Sequence, residues 1–370
     1  MNGRPRFAWA WAIAAVAAVG AGAGACASTK GKPAFTATAT SVPTAMPTAT
    51  RTACPGSAAF SVVGGDAGGP ALTENWIATV DGCGEIVSWT LGSPIPTQAA
   101  STGGGFSFVS AGVFLRCGGF ASGSFAVPVD GAISAVVAGA AAQVWSQSSP
   151  IPNRLGGNAM ACDGSFAYAI GGASSTSEQS VIYSAPVSGA LAGPWSLAPT
   201  PFPVAQWGAA GFVAGSYVYV VGGVSTLGFG GSTWTAPVLA GGALGTWSPQ
   251  AGVPGGWAGG AWLTDGGVLL IAGGRPATNA CYTVPVLPGG TLGAWTTVSA
   301  LPGGRAYGAL AKVVISGATE VFLIGGWDPV TGQTFSSVYR AALAGGVLSS
   351  WSETMPLPHP LCGAAGIPNR

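Results

Sequence analysis

Short apolar runs, each closed by a pair of glycines, recur six times down this chain. They are Phe60-Ser-Val-Val-Gly64-Gly65, Phe114-Leu-Arg-Cys-Gly118-Gly119, Tyr168-Ala-Ile-Gly171-Gly172, Val218-Tyr-Val-Val-Gly222-Gly223, Val268-Leu-Leu-Ile-Ala-Gly273-Gly274 and Val321-Phe-Leu-Ile-Gly325-Gly326. The first glycines of successive pairs lie 51 to 54 residues apart. Six tryptophans keep the same step, Trp89, Trp145, Trp195, Trp247, Trp295 and Trp351, each after a Gly/Ala/Ser-rich turn and before a proline-rich loop. A fixed period of this size marks one supersecondary unit copied six times, which buries its faces only by stacking on its neighbours.

Four strand-like pieces fit between these landmarks, most clearly from Trp207 to Ala214, Ser216 to Val221, Ser232 to Leu239 and a short piece ending at Trp247. Gly-rich turns separate them and no helical period appears. Four strands in each of six units specify an all-β, six-bladed β-propeller. The unbroken apolar character of the second strand predicts burial on both faces. The glycine pair predicts a sharp turn where a side chain would clash, and the tryptophan is a plate suited to the gap between blades. Third strands are read as carrying a central proline (Pro128, Pro186, Pro237, Pro285), which implies a bulge or shortened pairing there. After Trp351 only Leu361 to Ile367 remains, matching a first strand, whereas Ala58 to Gly65 begins at a second strand. One closing blade is therefore expected to be shared between the two ends of the domain.

The N-terminal segment reads differently. Residues 1–25 have two early arginines and an apolar stretch followed by small residues, the layout of an export signal. Cleavage before Cys26 would make it a lipoprotein-like signal with Cys26 lipidated. Cleavage after Ala27 or a retained anchor are the other readings. Residues 26–53 are rich in Thr, Pro and Ala and too poor in large apolar side chains to fold, so they read as a disordered tether. The propeller then occupies 54–370.

That domain carries seven basic and eleven acidic residues, which excludes the basic stripe of a nucleic-acid binder. No later apolar run reaches a membrane-spanning length; the longest, Gly131 to Ala142, is interrupted by Ser134. Membrane contact is thus expected only through the N-terminal anchor, with a monomeric propeller held at the cell surface or in the periplasm. Apart from Cys26 there are six cysteines, Cys54, Cys83, Cys117, Cys162, Cys281 and Cys362, without metal-type spacing. Disulfides of an oxidising compartment, or buried thiols, are the readings left open.

In its order of apolar run, Gly-Gly, strand, Trp and Pro-x-Pro, the chain from roughly residue 56 to 367 resembles the kelch-repeat propellers. It departs from them in lacking a regular Tyr before each Trp and in keeping the loop arginine only as Arg154 and Arg305. The resemblance implies a place among propellers that include galactose-oxidase-like copper enzymes, sialic-acid-processing proteins and binding scaffolds. The oxidase site needs two His ligands, whereas this chain has the single His359. Its basic residues are scattered rather than clustered for a carboxylate. No cofactor or metal is expected, and no catalytic residue is assigned.

The resemblance also places the loops entering first strands, and those after Gly-Gly, on one face around a central channel. Trp207, Trp257 and Tyr307 fall at or beside equivalent positions there, with His359 in the matching loop of the closing blade. Aromatic plates around a channel mouth suit a glycan or peptide; the other reading is packing between loops. Arg154 and Arg305 either contact ligand or bond backbone carbonyls. Trp327 and Asp328 open the most polar rim loop. Asp81 and Glu85 read as a solvated outer turn. The expected function is that of a scaffold binding glycan or protein, the alternatives being a carbohydrate-active enzyme of sialic-acid or oxidase type and a purely structural surface protein.

Overall fold

The computed structural model describes residues 54–67, 69–96, 108–110, 113–121, 127–138, 141–189, 191–276 and 278–367. The export segment, Cys26, the tether and Arg370 lie outside the described residues. The rest is a six-bladed β-propeller of antiparallel sheets. Among the described residues no helix is long and apolar enough to cross a membrane.

Blade 1 closes the ring as the split unit requires. Its innermost strand is Ala365–Ile367, followed outward by Ser57–Val63, Asn75–Asp81 and Ile86–Leu91. Val63 pairs with Ala365 and Ser61 with Ile367. Blade 2 runs Phe108–Ser110, Val113–Cys117, Ala132–Ala138 and Ala141–Ser148. The apolar stretch from Gly131 to Ala142 is thus most of a hairpin. Blade 3 has inner strands Ala159–Cys162, Phe166–Ile170 and Ile182–Ser188; blade 4, Ala210–Ala214, Tyr217–Val221 and Thr233–Pro237; blade 5, Ala261–Asp265, Val268–Ala272 and Cys281–Leu287; blade 6, Ala309–Ile315, Ala318–Ile324 and Val338–Ala344.

The outermost strand departs from the simple unit. In blades 3, 5 and 6 it is two short pieces, and its second piece starts directly after Trp195, Trp295 or Trp351. In blade 4 it is Ser248–Gln250, starting after Trp247 rather than ending there. A break at the same point recurs with and without proline, since in blade 6 the equivalent residue is Ala342, which accepts from Ser349 N at 2.9 Å. Pro186, Pro237 and Pro285 each occupy the last cross-strand pair of the third strand. Having no N–H to continue the ladder, each instead accepts through its carbonyl from Gly193, Gly245 or Gly293 at 2.7–2.8 Å. Pro128 does not belong with them. It precedes the third strand of blade 2 and bridges Phe120.

Second strands are covered on both faces, which explains their unbroken apolar runs. Tyr219 and Val221 enter a core shared with blade 5, while Val218 and Val220 enter one shared with blade 3. Six such cores occupy the six blade junctions. Across them the tryptophans form a second set of links. The indole N–H of Trp145 donates to Ser93 O, Trp195 to Ser149 O, Trp295 to Ala251 O, Trp351 to Ser299 O and Trp89 to Met355 O, at 2.8–3.3 Å. Each acceptor lies four residues after the tryptophan of the preceding blade.

The seam between blades 1 and 6 has an ionic link besides. Asp81 caps its turn by accepting from the Cys83 and Glu85 amides. Glu85, expected to be merely solvated, pairs with Arg340 at 2.8 Å and accepts from Thr354 Oγ1 at 2.9 Å. Arg340 also donates to Cys83 O. The reason is ring closure, which brings blade 6 against this turn. Cys54 and Cys83 form a disulfide, whereas Cys117, Cys162 and Cys281 are buried free thiols. Both readings of the cysteines are therefore realised.

Candidate functional site

The Gly-Gly turns and the loops entering the next blade are stapled together at one face. The second glycine donates to the following entry loop: Gly119 to Leu155 O, Gly172 to Gln206 O, Gly223 to Trp257 O, Gly274 to Arg305 O and Gly326 to Leu361 O, all at 2.7–2.8 Å. A Cβ on the first glycine of each of these five pairs would lie 2.2–2.6 Å from the same carbonyl. All twelve paired glycines have positive φ. No side chain fits there.

A ring of backbone bonds links the entry loops to one another. Gly208 N donates to Gly157 O, Gly259 N to Gly208 O, Tyr307 N to Gly259 O and Gly363 N to Tyr307 O, at 2.7–2.8 Å. All five residues have positive φ, and in four of them it costs little because they are glycine. Tyr307 adopts φ 54 with a full side chain. Strain of this kind, costing about 1–3 kcal/mol, persists only where the surroundings enforce it. Here the ring of bonds enforces it, and the missing side chain of Gly259 leaves room for the phenol ring.

The three aromatic residues aligned from sequence occupy three different offsets. Trp257 carries the carbonyl that receives the glycine pair, Trp207 lies one position beyond the equivalent Gln206, and Tyr307 two beyond the equivalent Arg305. All are buried, as is Trp327. Trp207 packs edge-on to Phe120, Trp257 donates to Gly273 O at 2.9 Å, and Tyr307 lies 6.3 Å from Trp327 between ring centroids. Burial pushes the Tyr307 phenol up to about 12, with the charge of Arg275 opposing.

Arg305 is also buried. Its guanidinium donates to Gly325 O and to Ser337 O and Oγ, and lies 4.4 Å from the ring centroids of Phe335 and Tyr339. It bonds carbonyls, though of the Gly-Gly turn and its loop rather than of the proline loop. Burial lowers its pKa. Arg154 remains exposed, 4.0 Å from Asp130. Asp328 accepts from Val330 N and Thr331 Oγ1, both at 2.8 Å, and so shapes its own loop. His359 is at the seam. Its Nε2 lies 2.5 Å from Glu74 Oε2, which also accepts from Trp76 Nε1 at 2.7 Å.

Two arginines were passed over in the sequence, and both have a legible signal. Arg275 directly follows a glycine pair, where the other units have Asp66, Phe120, Ala173, Val224 and Trp327. It is half-buried, with its guanidinium 5.0 Å from the Phe229 ring centroid, beside Tyr307. No carboxylate pairs with it among the described residues. Arg116 stands two residues before its glycine pair, where the other five units have Val62, Ala169, Val220, Ile271 and Leu323. It is 1% exposed and, among the described residues, donates only to Gly363 O at 3.3 Å and leaves Nε and Nη1 unbonded.

Loop tips complete the face. Val224–Ser225 and Gly228–Phe229 form a small hairpin with Leu227 at its tip, 95% exposed, and Val330 in the loop after Gly326 is 87% exposed. Among the described residues no three His, Cys, Asp or Glu side chains gather as a metal site.

No protein-family model matches the chain, and no curated protein matches it in sequence. Among solved structures, one titled "Structure of YjhT" is similar with a TM-score of 0.55 and 16% identity, over 81% of this chain and 99% of that chain. The likeness is one of fold.

Proposed function

We propose that this chain is an exported, lipid-anchored propeller of the kelch-repeat type that binds a glycan or protein ligand through its loop face. One observation carries the reading. The scaffold positions around the mouth are taken up by backbone bonds and buried packing, whereas the loops that follow the glycine pairs of blades 4, 5 and 6 present the exposed Leu227 and Val330 and the half-buried Arg275. A rigid ring bearing non-repeating groups on adjacent loops is how binding surfaces are built on propellers and other repeat scaffolds. The buried Trp207, Trp257, Tyr307 and Trp327 support those loops rather than stack on a ligand.

The test is a glycan array together with cell-surface pulldown by the full chain, repeated with Leu227→Asp, Arg275→Ala and Val330→Asp combined. Captured ligands lost on substitution, with an unchanged melting midpoint, support the reading. Identical capture by the variant refutes the site, and turnover of a captured sugar refutes a scaffold role.

A further inference from the structure

Between the outermost strand of blade 6 and the closing strand of blade 1 the chain runs through Pro356-Leu-Pro-His-Pro360. Backbone bonds fix both sides of this return loop. Leu357 N donates to Ser336 O and Leu361 N to Phe335 O on blade 6, and Cys362 N donates to Asp66 O on blade 1, at 2.8–3.0 Å. The apex, residues 358–360, is different. Two of its three residues are proline and have no N–H to give, and among the described residues no backbone bond ties the apex to another segment. What holds it is the side chain of His359.

That side chain sits between two acceptors. Nδ1 lies 3.0 Å from Pro360 O, and Nε2 lies 2.5 Å from Glu74 Oε2. A carbonyl oxygen only accepts, and the same Glu74 oxygen also accepts from Trp76 Nε1 at 2.7 Å, as an ionised carboxylate does. A neutral imidazole has one N–H and serves only one of the two acceptors, whereas the imidazolium has two and serves both. Glu74 is itself anchored, because its backbone carbonyl accepts from Gly64, the first glycine of blade 1's pair, at 2.9 Å. The returning loop is thereby joined to the glycine turn of blade 1.

We propose that His359 is a proton-operated clasp on the closure of the ring: protonated, it pins the apex of the return loop to Glu74 of blade 1, and neutral, it gives up one of its two bonds and the apex loosens. Histidine is the side chain whose charge ordinarily changes between about pH 5 and 8, and His359 is the only one in the chain. Among the described residues few other charges surround the loop. Glu74 meets the ring directly, and Trp76, with its ring centroid 6.0 Å away, is uncharged. From blade 6 the loop meets Phe335 and Ser336, neither of them ionisable. Beyond the apex, buried Asp66 faces Cys362 and buried Arg116 donates to Gly363 O, one charge of each sign. The clasp is complete while the ring is charged and Glu74 ionised. It is lost from above as the ring releases its proton and from below as Glu74 takes one up. It needs no ligand on the loop face.

Selective nitrogen labelling of histidine in the full chain reads this ring alone, since no other histidine is present. Both nitrogens should carry protons at about pH 5.5 and only one at about pH 8, on either side of the ordinary histidine range. Hydrogen exchange, corrected for its intrinsic pH dependence, reads the loop. Protection of residues 355–364 should fall about threefold between those two pH values, the worth of one partly exposed ion pair, while the strand Tyr217–Val221 keeps its protection. His359→Gln should remove that fall, and so should Glu74→Gln, which leaves the histidine in place. A ring that is neutral at the lower pH, protection of the loop that does not change, or an equal fall in either variant would each overturn the clasp.

Discussion

Trp89 Nε1 donates to the carbonyl of Met355 across 266 residues, at 3.3 Å, and so carries the tryptophan ladder across the seam where the chain begins and ends its ring. In the same interface the Trp89 ring meets Phe60 edge-on, and Phe60 packs on Phe322 of blade 6. The seam is thus built with the same parts as the other junctions. Closure is a packing and hydrogen-bonding event as well as a strand-pairing one.

The ladder predicts unequal costs for one substitution. Trp351→Phe removes the bond to Ser299 O along with packing area, whereas Trp247→Phe removes area but no such bond. The first should cost about 1 kcal/mol more, the net worth of a hydrogen bond. Urea midpoints of the two variants measure the difference.

The seam strand should tolerate little added volume. A Cβ at Gly366 would stand 2.2 Å from Leu310 O of blade 6. Gly366→Ala should therefore cost about 1–3 kcal/mol as overpacking. The same substitution at Gly317, where nothing lies within 4 Å, is a poor control, because φ +83 there is itself strained by any side chain. Gly303, open and without that φ, is the proper one. Thermal melts of Gly366→Ala and Gly303→Ala separate the two cases.

Reducing the Cys54–Cys83 disulfide should destabilise the closing blade. The bridge spans a sequence separation of 29 and ties the start of the domain to the turn that faces Arg340. Chain-entropy arguments give about 3–4 kcal/mol for a loop of this length. The measurement is the denaturation midpoint with and without reductant, set against Cys54→Ser/Cys83→Ser.

Arg116 should be a net burden on stability. Desolvation lowers its pKa to about 10, so the cost of burying its charge is present below about pH 10 and is relieved as pH rises toward the ordinary arginine value. Arg116→Leu restores the aliphatic character of the other five units and should add about 1–4 kcal/mol at neutral pH. Chemical denaturation at pH 7 decides; a loss of stability would show that a polar partner stabilises Arg116.

Alkali should unfold the protein for the opposite reason. Burial raises Cys281 to about 11 and Cys162 and Tyr307 to about 12. These acids stay protonated in the folded state, so their contribution is whole below about pH 9, where unfolded thiols begin to ionise, and is lost as pH climbs toward about 12. Midpoints measured from pH 8 upward should fall. Cys162→Ala/Cys281→Ala should flatten that fall.

Much of this fold is legible because each repeated residue answers a local demand that recurs at every junction. Glycine pairs mark where a carbonyl of the next entry loop allows no Cβ, continuous apolar runs mark strands covered twice, and the unpaired half-blade at each end predicts the seam. Prolines in the third strands of blades 3 to 5 coincide with the irregular outer edge, but blade 6 breaks at Ala342 without one, and Pro128 shows that the residue type alone does not fix its place. The site is less legible. Whether Trp207, Trp257 and Tyr307 face ligand or protein depends on offsets of one or two residues in their loops, and those are set by backbone bonds between blades.

The order of residues by itself determined the period, the strand content, the closing blade and, within residues 54–370, the excess of acidic over basic groups, since all follow from local spacing and composition. Only the tertiary structure decided what the non-repeating residues do. It buried four channel-mouth aromatics, held Tyr307 at positive φ, left Arg116 and the Tyr168 hydroxyl without full hydrogen bonding, and opened one junction where Trp247 makes no bridge. Those outcomes depend on which blade meets which across the ring. Such contacts join residues about 50 positions apart, or at the seam nearly 300, and no local pattern records them.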